Sequence, residues 1–214
     1  MTPIGAAHIL IVEMTITREI RANFNDETVV VYQAYGSAIA DAALTAQRFV
    51  EPFSRSRMTW IKPSFLWACY RSGWATKPSQ ERLLEVTLTR TGFEQLLANS
   101  ALASAREAGL DDDAFRTRLA AHPNRVQWDP ERTIRLEPLP QVRSLQLGIG
   151  VPDVPHFVDD AVVGLRDVTT LAHSVRDLVR ASDEAAAAAL LPATATYPVD
   201  PDLRKQLAMD LEHS

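Results

Sequence analysis

One stretch concentrates the residue types that hold and act on anions: RMTWIKPSFLWACYRSGW, residues 57–74. It interleaves three cations, Arg57, Lys62 and Arg71, with three tryptophans spaced seven residues apart, Trp60, Trp67 and Trp74. A solvated loop has no need of tryptophans, and a buried segment does not tolerate three cations unless they are paired. The mixture fits cations held among rings, where desolvation and cation–π contact strengthen their grip on an anion. Lys62 precedes Pro63 and Ser64, where a helix is predicted to begin, and the free N–H groups of a first helical turn suit a phosphate. The competing reading is a helix cap with structural salt bridges and a core of large rings. Arg18 and Arg21, three apart, either add to the same anion site or form a surface patch.

Two further groups of residues invite a chemical reading. Glutamines stand inside predicted strands: Gln33 beside Tyr32 in VVVYQAY, Gln127 in RVQW and Gln146 in SLQLG. A buried amide must be paired; it either satisfies backbone or meets a ligand through its donor and acceptor ends. Carboxylates stand at strand ends, where a scaffold fixes a side chain while leaving it open. These are Glu81, opening one strand, and Asp129 and Glu131 in the DPER segment after another. As candidate catalytic groups they would polarise a hydroxyl or stabilise an oxocarbenium-like centre; as structural groups they would cap turns and pair with arginine. A shared divalent ion, as in a metal-dependent phosphodiesterase, requires Glu81, Asp129 and Glu131 to converge.

Composition bounds these readings. The chain has 214 residues, 46% hydrophobic and 23% charged, with a formal charge of -5 and one cysteine, Cys69. That is an ordinary globular composition without a disulfide framework or a multi-thiolate metal site. The five histidines are scattered, so no metal centre is expected from them, and no membrane-spanning run is present. No leader-like start is evident, which makes the cytoplasm the expected setting. Charge is uneven: residues 48–90 hold eight basic residues against three acidic, and residues 151–214 hold five against eleven. The first block favours an anionic small molecule or nucleotide as partner. The negative total weighs against a nucleic-acid binder, which draws on many cations. No GxGxxG, P-loop, HExxH or GxSxG motif occurs.

The elements that must position these residues read as follows. Residues 1–14 are poorly patterned, with Met14 a possible start, and residues 15–214 form one domain ending in an acidic, proline-containing segment. TVVVYQAY (28–35) and RLLEVTLT (82–89) are strands. Residues 37–49 form a helix with Ser37 as cap, and a second helix follows Pro63. Residues 93–108 read as a helix, 125–128 as a strand ending in an Asp129-Pro130 turn, and 133–139 and 143–149 as two strands around Pro140. A long helix over 156–181, breaking near Gly164, and a last helix over 201–211 complete the chain. The order predicts a single α+β domain, with helices packed around a mixed, largely antiparallel sheet.

The segments REIRANFNDETVVVYQAY, RMTWIKPSFLWACYRSGW, QERLLEVTLTR, VQWDPER, RSLQLGI and YPVDPDLRKQLAMD together resemble the uncharacterised DUF4291 family over about residues 15–210. That resemblance brings no activity with it. A looser likeness is to ADP-ribosyltransferases, compact split-sheet α+β enzymes that bind NAD without a glycine-rich loop. It would make Glu81 or Glu131 the late-strand acid, whereas Tyr32 and Gln33 stand where those enzymes carry arginine or histidine. The expectation is a nucleotide-handling enzyme, in its specific form an ADP-ribosyltransferase-like transferase, with NAD or another nucleotide as cofactor. The alternatives are a non-catalytic nucleotide or single-strand binder and a metal-dependent phosphodiesterase.

Overall fold

The computed structural model describes residues 16–209. The predicted N-terminal extension and the possible start at Met14 lie outside the described residues. Two short strands, β1 (Thr17–Arg18) and β2 (Arg21–Ala22), lead into β3 (Thr28–Tyr35), helix α1 (Ser37–Ala46) and β4 (Thr59–Ile61). Next come α2 (Phe65–Ser72), β5 (Arg82–Thr89), α3 (Arg90–Ala98), β6 (Ser100–Leu102), α4 (Ala105–Ala108) and α5 (Asp112–Ala121). β7 (Asn124–Arg132) and β8 (Pro138–Ile149) form a long hairpin. β9 (Val162–Asp167), α6 (Thr169–Arg180), α7 (Glu184–Leu190), β10 (Ala195–Thr196) and α8 (Pro201–Gln206) close the chain.

The result is a single α+β domain whose sheets are mostly antiparallel. One sheet has the order β3-β5-β9; the other has β1-β8-β7-β6, with β4 paired to the far end of β8. The two sheets meet at one point. Tyr32 N donates to Lys62 O at 2.7 Å and Lys62 N donates to Tyr32 O at 3.2 Å. Around this bridge, and over a core that both sheets share, the sheets form a curled half-barrel. β2 and β10 add a two-stranded pair beside it.

Alternation along the strands sorts residues to the two faces. In β3, Val29, Val31 and Tyr35 enter the larger core, while Tyr32 enters a second cluster beneath α2 and α6 with Phe65, Cys69, Ala172 and Val175. In β7 and β8, Val126, Trp128, Leu145, Leu147 and Ile149 face the larger core. By the same alternation the other face carries Gln127, Asp129, Ser144 and Gln146, and β4 presents Trp60 on its register partner Gly148.

Several elements differ from the sequence expectation. Residues 93–108 are not one helix: α3 ends at Ala98, and Ser100–Leu102 pair in parallel with Asn124–Val126. Tertiary pairing there outweighs local helix preference. Residues 156–181 are not one helix either. A π-turn over His156–Ala161 gives way to β9, whose Val162 and Leu165 pair with β5, and Gly164 lies within that strand. β-Branched residues favour the pleated arrangement. Asp129-Pro130 is no turn: β7 continues to Arg132 with a register shift after Pro130, and β8 is one long strand running through Pro140. Ser37 is the first helical residue of α1 and gives no side-chain cap; Gly36 is the cap residue. The last helix stops at Gln206, not 211.

Gly148 shows how tightly β4 is laid on β8. A Cβ at this position would come within 2.8 Å of the Trp60 ring, so Gly148→Ala is expected to cost about 1–3 kcal/mol of unfolding free energy in urea titrations.

Candidate functional site

The ladder between β3 and β4 stops after the Tyr32–Lys62 bridge, and the strands splay. Gln33 spans the gap with its side chain: Nε2 donates to Thr59 Oγ1 at 2.8 Å and to the Trp60 carbonyl at 3.1 Å. Because a carbonyl only accepts, the amide orientation is fixed and Oε1 faces away, buried and without a hydrogen-bond partner among the described residues. Tyr35 Oη lies 3.0 Å from Thr59 Oγ1. Burial, opposed by the Thr59 contact, pushes the Tyr35 phenol up to about 12.

A cavity of about 210 Å³ opens at this split, lined by Tyr32, Gln33, Trp60 and all three cations, Arg57, Lys62 and Arg71. Lys62 comes from the residue after β4 and is pinned by its own backbone. Arg71 comes from the last turn of α2, and Arg57 from the loop before β4. Lys62 is 8% exposed, its Nζ 5.3 Å from the centroid of the Trp67 ring; the Arg71 guanidinium lies 5.9 Å from the same ring. Trp67, buried on α2, is therefore an aromatic backing for two cations and not a free stacking surface.

Among the described residues none of these three cations makes an ion pair with a carboxylate. Among the described residues no carboxylate lines the cavity. Burial, with Arg71 close by, pushes the Lys62 ammonium down to about 8, and Asp129 acts in the opposite direction. Asp129 is itself raised by burial, against the pull of Lys62 and Arg71. Its carboxylate accepts from Gln146 Nε2 at 3.1 Å, and the same nitrogen donates to Gln127 Oε1 at 2.8 Å. Gln127 and Asp129 line a neighbouring polar cavity with Arg18, Arg143 and Glu107. Asp129 is thus felt at the cationic cavity without forming its wall.

The other residues singled out in the sequence lie elsewhere. Glu131 Oε1 accepts from Ser64 Oγ at 2.8 Å and from Arg132 N at 2.7 Å. This carboxylate occupies the N-terminal end of α2, where a phosphate was expected, and Ser64 caps the helix through Trp67 N. Glu131 lines a separate apolar cavity of about 350 Å³ with Phe65, Leu66 and Leu139, also bordered by Arg21. Glu81 is exposed and accepts from Ser79 N at 2.9 Å, closing a turn. Trp74 has a left-handed backbone, φ 61°, and packs against the second core cluster. Cys69 is buried, which raises its thiol and keeps it inert. Among the described residues no three His, Cys, Asp or Glu side chains cluster as ligands; Glu81, Asp129 and Glu131 do not converge on one ion. Thr59 and Tyr35 are parts of the cavity that the sequence reading passed over; the spacing of Gln33 and Tyr35, two apart in one strand, was the available signal.

The chain belongs to the DUF4291 family, a domain of unknown function, which matches residues 19–197. No curated protein matches it significantly. Among the described residues no helix is long and apolar enough to cross a membrane.

A buried cation without a partner costs stability. Lys62→Met is expected to raise unfolding free energy by about 1–3 kcal/mol at pH 7. Between the folded value near 8 and the ordinary 10.5, the unfolded chain holds a proton that the folded chain has released. The parent's stability therefore rises with pH across that window. Urea titrations at pH 7 and pH 10 should show the advantage of Lys62→Met shrinking at the higher pH.

Proposed function

We propose that this DUF4291 domain is a nucleotide-handling enzyme that holds phosphate groups with Arg57, Lys62 and Arg71 and rests a base or sugar against Trp60. The single observation that carries this reading is three cations, free of carboxylate partners among the described residues, lining one cavity together with Tyr32, Tyr35 and Trp60. Cations placed together repel one another, and a doubly charged phosphate relieves that repulsion while satisfying their donors. The cavity volume of about 210 Å³ lies below the ~300–1,000 Å³ typical of pockets that enclose drug-sized ligands. It suits a phosphorylated sugar or one half of a dinucleotide such as NAD, with the remainder lying across the open mouth. Asp129 is the acid best placed to influence chemistry at Lys62. Glu81 and Glu131, committed to a turn and to a helix cap, are not retained as catalytic groups of this cavity.

Calorimetric titration with pyrophosphate, ribose 5-phosphate, ATP and NAD tests the proposal. Binding is expected, and Arg57→Met and Arg71→Met should each weaken it about tenfold, the value of one charge-assisted hydrogen bond. Trp60→Ala should weaken ATP more than pyrophosphate. Affinity for pyrophosphate should fall as pH rises through about 8, where Lys62 loses its proton, and above that pH binding should take up a proton. Absence of binding by all four compounds at millimolar concentration would overturn the assignment.

A further inference from the structure

Only three of the 22 lysine and arginine residues are lysines: Lys62, Lys77 and Lys205. Lys77 and Lys205 are exposed, and Lys77 Nζ donates to the Arg71 carbonyl at 2.6 Å. Lys62 is buried at a cavity wall that Arg57 and Arg71 also line, with Arg71 close enough to act on it and no hydrogen bond or ion pair on its amine among the described residues. If fixed positive charge were all this position supplied, arginine would serve it better, since a guanidinium keeps its proton and forks around a phosphate. A lysine at such a place differs in one chemical respect: desolvation and a neighbouring cation make the neutral amine accessible, and the neutral amine is a nucleophile.

We propose that Lys62 is a nucleophilic amine that forms an imine with a phosphate-bearing aldehyde or ketone, such as the open-chain form of a pentose phosphate. This rests on the anion-holding reading of the same cavity. Arg57 and Arg71 would hold the phosphate and so fix the carbonyl carbon near Nζ. The Nζ lone pair adds to that carbon, and the carbonyl oxygen takes up a proton to become a hydroxyl. Nζ gives up its protons as water leaves and the C=N bond forms. The step exchanges one water and needs no oxidant or reductant. The Trp67 ring behind Nζ excludes solvent from one side of the amine, which slows hydrolysis of the imine.

The test uses the full chain and a probe aldehyde, pyridoxal 5′-phosphate, followed by borohydride reduction and peptide mapping. Lys77 and Lys205 serve as internal controls. The reduced adduct is expected at Lys62 at least about tenfold above either control. It should fall about tenfold with pyridoxal, which lacks the phosphate, and should be suppressed by pyrophosphate. Its yield should rise with pH to a midpoint near 8. An adduct confined to Lys77 and Lys205, or spread evenly over all three, overturns the proposal. Pyrophosphate calorimetry on the same preparation separates the two readings: heat of binding without Lys62 labelling defeats the imine and leaves the anion site standing, whereas absence of both defeats both.

Discussion

Everything distinctive about the cavity depends on the pair of backbone hydrogen bonds between Tyr32 and Lys62. They are the seam between two sheets that otherwise have separate ladders. A seam of one residue pair lets the strands diverge immediately beyond it. That divergence creates the cavity, and Gln33 fills part of the missing ladder with its side chain. The same bonds anchor the backbone of Lys62, so its side chain starts from the point where the sheets part.

The electrostatics follow from that geometry. Lys62 is carried into a poorly solvated place just beyond β4, and Arg71 arrives from the last turn of α2. Neither finds a carboxylate at ion-pair distance among the described residues. The nearest acid in effect, Asp129, is engaged by Gln146 and raised by its own burial. Some arginines elsewhere are paired closely. Arg55 grips Asp159 with two bonds of 2.6 and 2.7 Å, and Arg166 grips Glu85 in the same way. What sets the cavity apart is that three cations share one space and that, among the described residues, no carboxylate lines it.

The comparison of sequence and structure turns on particular elements. β3 and β5 were legible to the residue, because β-branched and aromatic runs bounded by Asn25-Asp26 and Gly36 have no helical alternative. Residues 93–108 and 156–181 were misread for one reason. Short strands such as Ser100–Leu102 and Val162–Asp167 exist because a partner strand is present, and local pattern does not reveal the partner. The misreading of Asp129-Pro130 mattered more for the site. As a turn it would have projected Asp129 and Glu131 together; as a continuing strand with a shifted register it sends them to different cavities.

What the sequence by itself determined is the family, the α+β class, and the concentration of cations and rings in residues 57–74. These are properties of composition and local order, which folding does not alter. Only the tertiary structure decided which members of that block share a space. It placed Trp60 at the cavity, Trp67 behind the cations and Trp74 in a separate core cluster, although all three have the same spacing in the chain. It likewise gave Glu131 to the end of α2 and, among the described residues, left Lys62 without a carboxylate at ion-pair distance. The physical reason is that pairing and burial depend on distances across strands, and those are set by the seam between the sheets and not by separation along the chain.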